Sequence, residues 1–269
     1  MDKHMTWGEE MEGEIKEALE IFVTTADKLL GNRIVAAYCY GSAAYDDFHR
    51  GYSDLDFFIV ADTVLTEEDF RHFHELREVY KGSRNRYLAV LEGEIVPYSG
   101  IKSREGNVIY WGTTKDRFNR GYGLRGFSMR GLLEAGYLIS GRDIRAEIPC
   151  PPEAEMLEQV ESMIETIKKY AVRTDRDIHS VDWLFLISQS IYWLKTGKTT
   201  GKTHAARWVL ENCRYPWKGL LGKAIELRLS PDLARNQSWQ LWLEQLGEGI
   251  QLACASLEAE MQLLVRTEK

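Results

Sequence analysis

Apolar and polar positions along the first half of the chain change period several times. From Glu9 to Leu30 the residues Ile15, Leu19, Ile21, Phe22, Ala26, Leu29 and Leu30 fall on one helical stripe that stops at Gly31-Asn32. This predicts an amphipathic helix covering one face of a sheet. Ile34 to Tyr40 and Asp54 to Val60 are short, β-prone apolar runs, and they read as two buried strands. Thr66-Glu67-Glu68-Asp69 opens a second helix with a capping-box-like pattern, with Phe70, Phe73, Leu76, Val79 and Tyr80 on its apolar face. Tyr87 to Val96 reads as a third strand ended by Pro97, Val108 to Gly112 as a further strand or strand end, and Gly126 to Ile139 as a helix ending at Ser140-Gly141.

The pattern then changes at Ile148-Pro149-Cys150-Pro151-Pro152, where three prolines in four positions can continue neither a helix nor a central strand. Beyond it, apolar residues recur at helical spacing from Met156 to Val172, Ile178 to Leu194, Ala205 to Leu210, Trp217 to Leu229 and Trp239 to Leu264, with no convincing strand. The expected fold class is α+β, with a mixed-sheet domain over residues 1–148 followed by an all-helical bundle over residues 153–269. A length of 269 residues fits two domains better than one.

Composition narrows the partners. The formal net charge of −7 argues against a protein that grips a phosphate backbone along its surface, so nucleic acid is not the expected partner and a cationic small molecule suits better. Cys39, Cys150, Cys213 and Cys254 are far apart without C-x-x-C spacing. They indicate neither a zinc site nor a redox motif, and they read as reduced thiols in a cytoplasmic protein. No long apolar run is present and Met1 to Glu14 is charged and polar, so no membrane association is expected.

The chemistry concentrates in two short stretches. Tyr40-Gly41-Ser42 follows the first predicted strand, and Ser53-Asp54-Leu55-Asp56-Phe57-Phe58-Ile59-Val60 begins eleven positions after Ser42. Asp54 and Asp56 are two apart, so on a strand both carboxylates point to one face. Such a pair is costly unless a divalent cation sits between its members, which predicts a Mg²⁺ site. The glycine allows a tight turn into a helix start, whose free N–H groups suit phosphate oxygens. Asp46 and Asp47, in the polar connection, read as solvated, and His72 and His74 as surface or edge residues. A third carboxylate on the neighbouring strand would serve as base for an attacking hydroxyl. Glu92 and Glu94 lie on the same face of that strand, so alternation leaves the choice open.

Gly-Ser, a gap, and Asp-x-Asp in a hydrophobic strand resemble the signature of the nucleotidyltransferase superfamily. Val90-Leu91-Glu92 is similar to the catalytic glutamate segment of its streptomycin and spectinomycin adenylyltransferases, and Leu91-Glu92-Gly93-Glu94-Ile95-Val96-Pro97 to that of a related uncharacterised group. The resemblance favours Glu92 over Glu94 as base and metal ligand. It extends to Thr196-Gly197-Lys198, Lys202 and Ala205-Ala206-Arg207-Trp208 in the helical half, covers most of residues 35–212, and is thin over the last helices.

The resemblance implies AMP transfer from ATP to a hydroxyl of an aminoglycoside or aminocyclitol antibiotic, with release of pyrophosphate. Two Mg²⁺ ions would be held by Asp54, Asp56 and Glu92, and the nucleotide by Gly41, Ser42, Ser53 and Lys202. Trp111, Asp182 and His179 would contact the cationic substrate, and the helical domain would close over both in a monomer or homodimer. Trp111 would suit the core equally well, and Asp182, as a first-turn acidic residue, would also suit the helix dipole. The run Gly197 to Thr203 also has P-loop spacing, but a P-loop must follow a strand. Two alternatives remain at this level: an adenylyltransferase acting on a protein or RNA acceptor, with Lys195, Lys198, Lys202 and Arg207 as a local basic patch, and a non-catalytic, antitoxin-like binding protein with the same fold.

Overall fold

The computed structural model describes residues 9–112 and 116–267, and Met1–Gly8 of the charged N-terminal stretch lie outside the described residues. Contacts separate two compact units, residues 1–48 with 53–151, and residues 49–52 with 152–269.

The first unit runs α1 (Glu9–Leu29), β1 (Ile34–Cys39), a single helical turn α2 (Gly41–Ala44), β2 (Leu55–Ala61), α3 (Glu67–Lys81), β3 (Leu91–Pro97), β4 (Asn107–Trp111), β5 (Arg117–Arg120), α4 (Gly126–Ala135) and β6 (Tyr137–Gly141). The sheet order is β5-β4-β3-β2-β1-β6. Neighbours are antiparallel except β2 and β3, which run parallel. Leu55, Phe57, Ile59 and Ala61 of β2 join a core with Ile15, Leu19, Phe22 and Ala26 of α1 and with Phe73 and Tyr80 of α3. Phe58 and Val60 point the other way, into a core with Ala36, Tyr38, Val96, Met129 and Leu132. A central strand covered on both faces reads as a continuous apolar run, as β2 does. Thr66 Oγ1 accepts from Asp69 N at 3.2 Å and Thr66 N donates back to Asp69 at 2.8 Å, closing the predicted capping box of α3. Val79 and Ile21, placed on apolar faces by spacing, stay exposed.

Three expectations for this unit change. The third strand starts at Leu91, because Tyr87 and Leu88 lie in a 3₁₀ turn in which the Asn85 side chain accepts from Tyr87 N at 3.1 Å. The predicted helix to Ile139 stops at Ala135, and Tyr137–Gly141 becomes a strand that pairs with β1. Leu132, Leu133, Tyr137 and Leu138 satisfy helical spacing, and only the free edge of β1 makes the last two a strand. Asp47, read as solvated, is 5% exposed, since its N–H donates to Ser42 O at 2.9 Å and folds the connection back. Asp46 is exposed as expected.

The second unit comprises α5 (Glu153–Tyr170), α6 (Asp182–Thr196), α7 (Lys202–Asn212), α8 (Lys218–Leu229), α9 (Gln237–Leu243) and α10 (Gly247–Thr267), with no strand among its described residues. Leu184, Phe185, Ile187 and Ile191 of α6 are fully buried, and α6 packs against α7 and α10. The predicted helix from Ile178 begins instead as a 3₁₀ turn, Ile178–Val181, capped by the Asp177 side chain on His179 N. The run from Trp239 to Leu264 is two helices. The break falls where Gly247 approaches Val172 so closely that a Cβ would run into its carbonyl oxygen, a contact that local periodicity does not encode. Tyr52, from the four-residue segment 49–52, is buried here with the Arg228 guanidinium 4.8 Å from its ring centroid. Arg228, itself 2% exposed, donates from Nε to Thr203 Oγ1 at 3.2 Å.

Candidate functional site

The turn after β1 is built on Gly41. Its φ of +67° is in the left-handed region that favours glycine, and a Cβ there would run into the Asp56 carboxylate. Tyr40 N donates to Asp56 O at 3.1 Å, so the turn and the start of β2 are tied by backbone as well. Ser42 Oγ reaches Asp54 O at 3.5 Å. The expected helix start is a single turn, Gly41–Ala44. Ser53 and Asp54, both half-buried, immediately precede β2, and half-buried Asp56 is its second residue. Gly41→Ala is expected to cost about 1–3 kcal/mol of stability from backbone strain and to displace the Asp56 carboxylate. Urea denaturation with a parallel activity assay checks this, and an unchanged midpoint with full activity would refute the close-approach argument.

Parallel pairing of β2 with β3 puts Asp56 directly beside Glu92 and Phe58 beside Glu94. The two glutamates that alternation left equivalent differ in surroundings. Glu94 is 4% exposed and accepts from Gly123 N at 2.7 Å and Leu124 N at 3.1 Å. Burial pushes its carboxyl up against the pull of those backbone bonds. Glu92 is half-buried and accepts from the Tyr110 hydroxyl at 2.7 Å. Burial first, then Glu92, push the Tyr110 hydroxyl well above the usual tyrosine range, so the phenol remains a donor. Tyr40 joins the same group: burial and then Asp56, Glu94, Glu92 and Tyr110 raise it strongly. Sequence reasoning passed over both tyrosines. The signal for Tyr110 was present, since alternation puts it on the sheet face opposite Trp111.

The structure places Trp111 in the core. It is 2% exposed and packs in the core against Phe22, Phe57, Phe73 and Tyr80. It pairs with Gly93, whose parity is opposite to that of Glu92, so it points away from the carboxylates.

Carboxylate oxygens at Asp54, Asp56 and Glu92 are the hard donors Mg²⁺ prefers. Among the described residues no three His, Cys, Asp or Glu side chains form a ready-made metal cage. A Mg²⁺ bound through one or two carboxylates, with phosphate oxygens and water completing its shell, does not need one.

Within the helical unit, Asp182, Lys202 and His179 come together. Lys202 Nζ donates to Asp182 Oδ1 at 2.9 Å, the Tyr52 hydroxyl donates to the same oxygen at 3.0 Å, and His179 Nδ1 lies 3.1 Å from Oδ2. The ammonium and the carboxylate expected to serve different ligands are thus paired with each other. Burial opposes the Asp182 charge, but Lys202 and His179 outweigh it and hold the carboxyl well below its ordinary 3.8. A depressed folded-state value stabilises the fold above pH 3.8, and this contribution is lost as pH falls through the lower folded value. Melting curves across acid pH are expected to show Asp182→Asn with a flatter acid limb than wild type; superimposable limbs would exclude this linkage. The P-loop-like run begins at Gly197, the left-handed cap of α6, so a helix precedes it and it lacks the P-loop context.

Residues 17–111 carry Gly41, Ser42, Asp54, Asp56 and Glu92, and they match the family profile described as Nucleotidyltransferase domain. This stretch is a nucleotidyltransferase domain. The match runs from within α1 to the end of β4, so Asp54, Asp56, Glu92 and Glu94 all lie inside it, while Asp182 and Lys202 lie outside. No curated protein matches the chain. Among solved structures, it is similar to spectinomycin adenyltransferase AAD(9) from Enterococcus faecialis, crystallised with ATP and spectinomycin. The TM-score is 0.62, the sequence identity 17%, and the alignment covers 90% of this chain and 98% of that chain. At that identity the likeness is one of fold, an α+β sheet domain followed by helices. No described helix is long and apolar enough to cross a membrane.

Proposed function

We propose that this protein transfers AMP from ATP to a hydroxyl of an aminoglycoside or aminocyclitol. The observation that carries the reading is the placement of Asp56 and Glu92 side by side on parallel strands, with the Gly41 turn against Asp56. Asp54 and Asp56 are the proposed Mg²⁺ ligands, with Glu92 beside them. Bound there, Mg²⁺ supplies charge compensation for the triphosphate. Gly41, Ser42 and Ser53 are proposed to bind phosphate oxygens. Glu92 accepts the proton of the acceptor hydroxyl as its oxygen attacks the α-phosphorus in line; the bond from that phosphorus to the bridging oxygen breaks, and pyrophosphate leaves. From the helical unit, Lys202 is proposed to offer an ammonium to phosphate oxygens, and Asp182 a carboxylate to a substrate ammonium, with His179 beside it as a ring-nitrogen partner.

The fold shared with an adenyltransferase solved with ATP and spectinomycin, the acidic net charge of −7, and the profile match over the carboxylates support this reading. Mass spectrometry of a panel of aminoglycosides incubated with ATP, Mg²⁺ and the protein tests it. The expected result is addition of one AMP to an antibiotic. Failure across the panel, with AMP transfer to a protein or RNA, would reassign the acceptor.

A further inference from the structure

We infer that Tyr110 is a positioning residue for Glu92, an inference that rests on the reading of Glu92 as the base. In the sheet register Tyr110 stands opposite Glu94, yet its hydroxyl donates to Glu92 Oε1 at 2.7 Å. That diagonal reach requires the length of a tyrosine. The ring is held from its other side, where Arg117, the Cα partner of Tyr110 on β5, puts its guanidinium 4.4 Å from the ring centroid. A row therefore crosses four strands on one face: Asp56, Glu92, Tyr110, Arg117.

Glu92 is the second residue of β3 and only half-buried, and the length of its side chain opens several rotamers, of which the bond from Tyr110 favours one. Glu94 is fixed by two backbone N–H groups. The Tyr110 hydroxyl gives Glu92 a fixed bond at Oε1, so that the attacking hydroxyl meets one carboxylate orientation rather than an average over several. The phenol is a donor toward Glu92 and takes no part in the proton transfer itself.

The test compares wild type, Tyr110→Phe, Glu92→Gln and the double variant, with spectinomycin as acceptor, and adds a ligand-free crystal structure of Tyr110→Phe. In Tyr110→Phe, kcat is expected to fall about 10- to 100-fold, with KM for ATP within about twofold and the melting temperature retained, because the ring and its Arg117 stack remain. Glu92 should leave its present position in the crystal, and Tyr110→Phe should add no further loss in the Glu92→Gln background. A Glu92 carboxylate that keeps its place in Tyr110→Phe overturns the inference, and that crystallographic result stands whether or not spectinomycin is accepted. So does an unchanged kcat alongside an inactive Glu92→Gln, or an undiminished Tyr110→Phe effect in the double variant. Full activity of Glu92→Gln alone would instead remove the base assignment, a result that can be told apart without Tyr110→Phe.

Discussion

Glu92→Gln is expected to lower kcat for AMP transfer by about 10²- to 10⁴-fold while the protein still binds ATP. An amide of nearly the same shape can still accept from Tyr110 but cannot take a proton, so the loss falls on the chemical step. Glu92 is half-buried beside Asp56, so the substitution also removes one carboxylate from the acidic group without opening a cavity. Calorimetry with ATP and Mg²⁺, alongside turnover with an accepted antibiotic, separates the two contributions. Retained turnover in Glu92→Gln would exclude it as base. Glu94→Gln makes the contrast. That carboxylate is committed to Gly123 N and Leu124 N, so its replacement is expected to act mainly on stability.

The second large effect is on folding. Trp111→Ala is expected to destabilise the protein by about 3–5 kcal/mol, a large share of the roughly 5–15 kcal/mol that holds a typical domain folded. The indole is 2% exposed, with its centroid 5.1 Å from Phe22, 6.1 Å from Phe57, 6.3 Å from Phe73 and 6.1 Å from Tyr80. Removing it takes away the side chain where α1, α3, β2 and β4 meet and leaves a cavity that rigid strands cannot collapse. Trp111→Phe keeps part of the volume and should cost less. Urea denaturation measures both, and a loss below about 1 kcal/mol for the alanine variant would contradict the core assignment. With the indole buried, a folded Trp111→Phe protein should bind the proposed antibiotic acceptor about as wild type does.

Trp111 also shows where sequence reasoning stopped. A tryptophan at a strand end is compatible with a ligand face or a core face, and the choice depends on which way the strand pairs. In the pairing observed, Trp111 stands opposite Gly93. Glu92 and Glu94 posed the same problem in another form. Two residues apart on one strand, they share a face, and neither period nor composition separates them. What separates them is the loop at Gly123 and Leu124, about thirty residues away in the chain, whose amides occupy Glu94. Asp182 and Lys202 are a third case. Each has a chemistry of its own in the sequence, and only the packing of α6 against α7 turns them into an ion pair 2.9 Å long.

The sequence by itself determined the division into a sheet half and a helical half, the strand that carries Asp56, the capped helix after it, and the kind of chemistry a Gly-Ser turn and paired carboxylates support. Those features are local: a period of 2 or 3.6, a cap, or a proline run is complete within a few residues. Tertiary structure decided that Asp56 stands beside Glu92, that Gly41 must be glycine because Asp56 lies against it, that Tyr110 rather than Trp111 faces the carboxylates, and that the last apolar run breaks at Gly247. Each of these depends on the register or close approach of segments distant in the chain, and a one-residue change of register would reverse which face every side chain of a strand presents.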